Sequence, residues 1–146
     1  MRKTLRYSLL GVIVLLLLIQ FVPVDRSNPP IDETMAIKAP AEIQAIFEKS
    51  CYDCHSYNTE WPFYSYIAPV SWLVAGDVEE GREHLNFSEW YQMPADKRAR
   101  ARGEIIDEVT EGEMPLPIYL ITHSDATLDD QQKQLLRDWA SSTEDK

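Results

Sequence analysis

Both cysteines of the chain fall in Cys51-Tyr52-Asp53-Cys54-His55, and a histidine follows the second directly. A thiol can add across a porphyrin vinyl group to form a thioether. The two-residue gap lets both sulfurs reach one macrocycle, and His55 then lies beside the iron. C-x-x-C-H is accordingly the attachment pattern of c-type haem, with His55 as the expected proximal ligand. Three plainer chemistries compete. A dithiol redox pair needs a βαβ surround, and none is visible. A structural zinc site needs a fourth ligand at short spacing, yet there is no third cysteine, and His84 and His123 stand far along the chain. A Cys51–Cys54 disulfide would close a very short, strained loop. The expected cofactor is therefore haem c, covalently attached.

Iron in an electron-transfer site usually has six ligands, and Met114, Met93, Met35, His84 and His123 are the candidates for the second axial position. Met114 leads. It lies in Gly112-Glu113-Met114-Pro115, where the proline stops a helix and fixes the local backbone. His123 and Met93, which also precedes a proline, are the alternatives, with an open site as the remaining one. A thioether ligand favours Fe(II) and raises the potential, whereas a second imidazole lowers it.

These residues need elements to position them. The chain has 146 residues, enough for one domain with a modest core. The N-terminal segment stands apart from that core. Arg2, Lys3 and Arg6 precede an almost purely apolar run, and Tyr7 to Val24 approaches the length needed to span a bilayer. No A-x-A pattern follows, so residues 1–24 are expected to be an uncleaved signal anchor rather than a removed signal peptide. Cations before the run keep the N-terminus in the cytoplasm and send the rest across. The expected location is thus the cytoplasmic membrane, single-pass, with the haem domain on the periplasmic side. Residues 25–38, with Ser27-Asn28-Pro29-Pro30, are expected to be an extended linker that holds the domain off the membrane. The haem domain is expected over residues 39–146.

Within that domain the periodicity predicts four helices and little strand, hence an all-α fold. The first starts at Pro40 and carries Ile43, Ile46 and Phe47 directly into Cys51. The second starts near Pro69, with Val70, Leu73, Val74 and Val78 on one side. The third spans about Asp96 to Glu111, with Ile105, Ile106 and Val109 inward. The last opens at Thr127 with a Thr127/Asp130 capping box and an apolar face of Leu128, Leu135, Leu136 and Trp139. The third helix places Lys97, Arg98, Arg100 and Arg102 early and its acids late, against the helix dipole. From Ser27 onward 10 Lys and Arg stand against 23 Asp and Glu, a net charge of −13. That charge excludes nucleic acid as a partner and suits a redox partner with a basic docking surface.

The order of parts resembles a class I cytochrome c: helix, C-x-x-C-H, middle helices, Met-Pro, C-terminal helix. More closely, residues 40–140 resemble the small bacterial haem-binding domain family. The matching stretches are Cys51 to Ser56, Trp61-Pro62-Phe63-Tyr64-Ser65, Ile67-Ala68-Pro69-Val70-Ser71-Trp72, Gly81-Arg82, Leu85-Asn86-Phe87-Ser88-Glu89-Trp90, Glu113-Met114-Pro115 and Tyr119. The resemblance implies an exported or membrane-tethered haem protein. Those stretches suit a haem pocket: Trp61, Phe63, Tyr64, Tyr66, Trp72 and Trp90 offer flat surface to a macrocycle, with core packing as the plain alternative. Arg82, Asn86 and Trp90 are candidate donors to a propionate. The other ring nitrogen of His55 needs an acceptor; the resemblance to class I cytochromes c implies a proline carbonyl, for which Pro62 and Pro69 are the candidates.

One-electron transfer at the outer face of the membrane is the leading expectation, with the protein an electron carrier rather than an enzyme. A gas-binding sensor with an open sixth position is the alternative, followed by a peroxidase-like enzyme using His84 or His123. No nucleophile triad, phosphate loop or EF-hand is present.

Overall fold

The computed structural model describes residues 2–142, so Met1 and the last four residues of the expected domain lie outside the described residues. The described chain is helical, and no strand occurs in it. Helix α1 (Arg2–Leu18) continues as a 3-10 turn over Ile19–Phe21. The stretch Lys3–Phe21, 19 residues, is long and apolar enough to cross a membrane, and none of it is buried in the protein. At 1.5 Å per residue it is about 28 Å long, close to the hydrocarbon thickness of a bilayer.

The domain is built from α2 (Ala41–Ser50), α3 (Tyr52–His55), α4 (Val70–His84), α5 (Ala95–Glu111), α6 (Pro117–Leu120) and α7 (Asp130–Ser141). Helices α2, α5 and α7 share one core because their apolar residues recur at helical spacing. Ile43, Ile46 and Phe47 of α2 meet Ala101, Ile105 and Val109 of α5 and Leu136 of α7 there. Phe47 stacks on Phe87 at 4.6 Å and meets Trp139 edge-on at 5.1 Å. The same packing explains the backwards charge order of α5. Tertiary burial, including that of Arg102, outweighs an unfavourable dipole term of a few tenths of a kcal/mol to about 1 kcal/mol.

Three expectations need correction. The last helix starts at Asp130, and its capping box pairs Asp129 with Gln132 rather than Thr127 with Asp130. Thr127 is extended, which leaves Leu128 ahead of the helix and free to bury in the core. On α4 only Val78 of the expected apolar stripe is buried, along with Ser71 and Gly81, while Val70 and Leu73 are exposed. Apolar periodicity marks a face but does not say what covers it. Finally, residues 25–38 are a strap, not a spacer. Ile37 is buried in the core and its N–H donates to Phe87 O, the Tyr91 N–H donates to Met35 O, and the Asn28 amide donates to Thr59 O.

Candidate haem site

Helix α2 delivers the cysteine turn. Its regular run ends at Cys51, whose φ of −129° breaks the helix, and the chain then makes the single turn of α3. The His55 N–H donates to Cys51 O at 2.9 Å, so both thiols and the imidazole belong to one turn. The turn is clamped through Asp53, which stands between the cysteines. One carboxylate oxygen accepts the Glu60 N–H at 2.9 Å, and the other accepts the Tyr119 hydroxyl at 2.8 Å. Thr59 Oγ1 donates to Asp53 O at 2.7 Å. Burial, followed by the bond to Asp53, pushes the Tyr119 hydroxyl well above its ordinary range and keeps it a donor.

His55 is oriented by the end of α4. Its Nδ1 lies 2.9 Å from Gly81 O and 3.0 Å from Leu85 O. A carbonyl only accepts, so Nδ1 carries the proton and Nε2 keeps its lone pair. Burial holds the ring below its ordinary pKa, against the raising effect of those two bonds, and so favours the neutral form that ligates a metal. The carbonyls lie at the negative end of a helix, which makes the imidazole a stronger donor. The expected partners, Pro62 and Pro69, do not serve. The Pro62 carbonyl instead accepts from the Ser65 N–H and hydroxyl, and the Pro69 carbonyl accepts from the Trp72 N–H.

Helix α4 reaches this position only because Gly81 has no side chain: a Cβ there would stand 2.8 Å from Cys54 O. The close approach also desolvates the thiols. Burial and the neighbouring Cys54 push Cys51 up to about 12, and burial with the Asp53 and Asp77 carboxylates pushes Cys54 up to about 12. The two cysteines are not joined to each other, and their burial is unlike the setting of the acidified cysteine of a dithiol oxidoreductase. Among the described residues no group of three or more His, Cys, Asp or Glu is arranged to hold a metal ion.

Met114 follows α5. Gly112 ends that helix at φ 82°, and the N–H groups of Gly112, Glu113 and Met114 all converge on Glu108 O. The Met114 side chain packs half-buried against the core cluster that also receives Cys51 and Met93. Phe87 connects that core to the turn, meeting Tyr52 at 5.5 Å and His55 edge-on at 6.3 Å. His84 points to solvent beside Glu80 at 3.8 Å. His123 stacks on Tyr119 at 4.0 Å.

Of the remaining predicted site residues, Arg82 reaches the Ser56 carbonyl next to His55, and it lines one cleft with Trp61, Trp72 and Asn86. Trp90 is 1 % exposed and packed within the core against Phe87, so it has no face to offer a cofactor. Arg82 is occupied: its donors reach Ser56 O, Ser27 O, Asn28 Oδ1 and Thr59 Oγ1 at 2.8–3.0 Å. It ties the strap to the loop after His55 rather than presenting a free guanidinium. The Asn86 side chain accepts the Ser88 N–H as a cap. Trp72 stands nine residues before Gly81 on α4, half a turn out of phase, and so on the opposite helix face. Trp61, whose buried Nε1 lacks a hydrogen-bond partner, and Trp72 line a cleft of about 560 Å³ with Pro23, Val24 and Glu79. Neither cysteine nor His55 lines it. Phe63 and Tyr66 are exposed, and Tyr64 bonds Thr122.

The residues missed in the sequence are Asp53 and the carbonyls of Gly81 and Leu85. The carbonyls have no side-chain signature at all, and Asp53 had only its position between the thiols. Together the two free thiols, the fixed Nδ1 tautomer and the unbonded Nε2 fit a haem as donor set. An all-helical haem-binding protein is what this fold and turn define. The haem-binding domain family matches residues 14–142, and the chain belongs to that family. No curated protein and no solved structure matches it.

Proposed function

We propose that the protein is a membrane-anchored c-type haem protein that carries single electrons on the outer side of the cytoplasmic membrane. The observation that carries this reading is His55 Nδ1 held by Gly81 O and Leu85 O, which leaves Nε2 as the ligand on the turn that bears both thiols. Cys51 and Cys54 would hold the group as thioethers, and His55 and Met114 would ligate its iron; Met93 and His123 are the alternatives to Met114. When bound, the group supplies one-electron exchange between Fe(III) and Fe(II). The chain's own part is to fix the imidazole, place both thiols on the same turn, and bury that turn against Phe87.

Helix α1 supports the anchor, and its cations at positions 2, 3 and 6 support an outward-facing domain. The net charge of −13 from Ser27 onward supports a redox partner with a basic docking surface. Redox titration with spectroscopy tests the function. A reversible one-electron couple in a low-spin protein is expected, with no prompt reaction of the ferrous form with CO at neutral pH. Stoichiometric CO binding would replace electron transfer with gas sensing, and peroxide turnover well above that of free haem would replace it with peroxidase chemistry.

A further inference from the structure

Outside the N-terminal helix and its immediate exit, the exposed large apolar side chains of the described residues fall in two stretches. One is Phe63, Tyr66, Ile67, Val70, Trp72 and Leu73, and the other is Ile118 and Ile121. The stretches meet where the Tyr64 hydroxyl lies 2.9 Å from Thr122 Oγ1. Neither carries charge: residues 61–76 and 114–124 contain no Asp, Glu, Lys or Arg, although the chain from Ser27 onward bears −13. Apolar surface gathered in one place and stripped of charge marks a contact surface.

The end of the N-terminal apolar run is bonded to this surface. Gln20 Nε2 donates to Ala68 O at 3.0 Å, and Gln20 Oε1 accepts the Ala68 N–H at 2.9 Å. Arg26 Nη1 donates to Ser65 O at 3.1 Å, and its guanidinium lies over the Tyr66 ring at 4.5 Å. One side chain thus satisfies both backbone groups of Ala68. The bonds also leave no slack between the apolar helix and residues 63–73.

We propose that the rim 63–73 rests on the bilayer itself, with Phe63, Tyr66 and Ile67 at the headgroup–acyl boundary of the leaflet from which α1 emerges. The inference rests on the membrane anchoring proposed above. Lipid is the occupant because the rim is continuous with the end of the apolar helix, and because aromatic residues favour this interface. Charge gives the same answer. Anionic headgroups repel an acidic domain, and the uncharged face is the one that can approach them. The domain then lies down beside its anchor instead of swinging on a tether, and its acidic helices stay in water for a partner.

The test places a benzophenone amino acid at position 63, 67, 10 or 104 of the full chain, one at a time, in its own membranes. These sites are all exposed. After illumination, phospholipid adducts are measured by mass spectrometry. Positions 63, 67 and 10 should give several-fold more lipid adduct than position 104 on α5. Adducts at 10 with 63 and 67 no higher than 104 would overturn the resting surface while leaving the anchor intact. Lipid adducts at none of the four would overturn both. Adducts of 63 or 67 to haem or to another protein, in place of lipid, would show that something else covers the rim.

Discussion

The turn that carries His55 and the loop that carries Met114 are built in opposite ways. The His55 turn is fixed from every side. Two carbonyls hold the ring nitrogen, both oxygens of Asp53 are engaged, and the fit against α4 leaves no room for a Cβ at Gly81. The Met114 loop is held by backbone bonds to a single carbonyl, Glu108 O, and by the packing of a flexible thioether. One side is set before any cofactor arrives, and the other can adjust to it. In the electron-transfer role proposed above, this division would let one fixed ligand and one adaptable ligand accept both oxidation states with little movement.

Four substitutions break or sharpen that contrast, here in order of decreasing effect. Phe87→Ala removes the ring that joins the core to both Tyr52 and His55, and should destabilise the fold by about 3–5 kcal/mol. Chemical denaturation checks this, and the His55 environment should be lost in the same transition. Gly81→Val forces α4 away from Cys54 O, an overpacking cost of about 1–3 kcal/mol. Its diagnostic is a weakened His55–iron bond, read as a changed low-spin spectrum in protein that is still folded. Gly112→Ala places a side chain at φ 82°, which should cost about 1 kcal/mol in a denaturant titration and leave the His55 side untouched. Met114→Leu keeps volume, so stability should fall by less than about 1.5 kcal/mol. The ferric near-infrared sulfur-to-iron band should nonetheless vanish and the potential should drop. Retention of that band would move the ligand role to Met93.

What could be read in the sequence follows the same division. The C-x-x-C-H turn, α2 with Ile43, Ile46 and Phe47, and α5 with Ile105 and Val109 were legible because spacing and period carry them. The support of His55 was not, since a carbonyl at Gly81 or Leu85 belongs to every residue type alike. Aromatic residues were legible as large flat surfaces but not as to their neighbours. Trp90 went to the core, Trp72 to the far face of α4, and Phe63 and Tyr66 to the exposed rim. Arg82 read as a propionate donor because its charge is visible in the sequence, while the carbonyls that occupy it, at Ser27 and Ser56, are not.

The central claim concerns attachment, and intact-mass analysis of the full chain, purified after maturation in cells that install c-type haem, addresses it directly. One species is expected, at the polypeptide mass plus a single haem, unchanged by acid–organic extraction that strips loosely bound haem. A haem that extracts completely, leaving the unmodified polypeptide with Cys51 and Cys54 still open to alkylation, would contradict it.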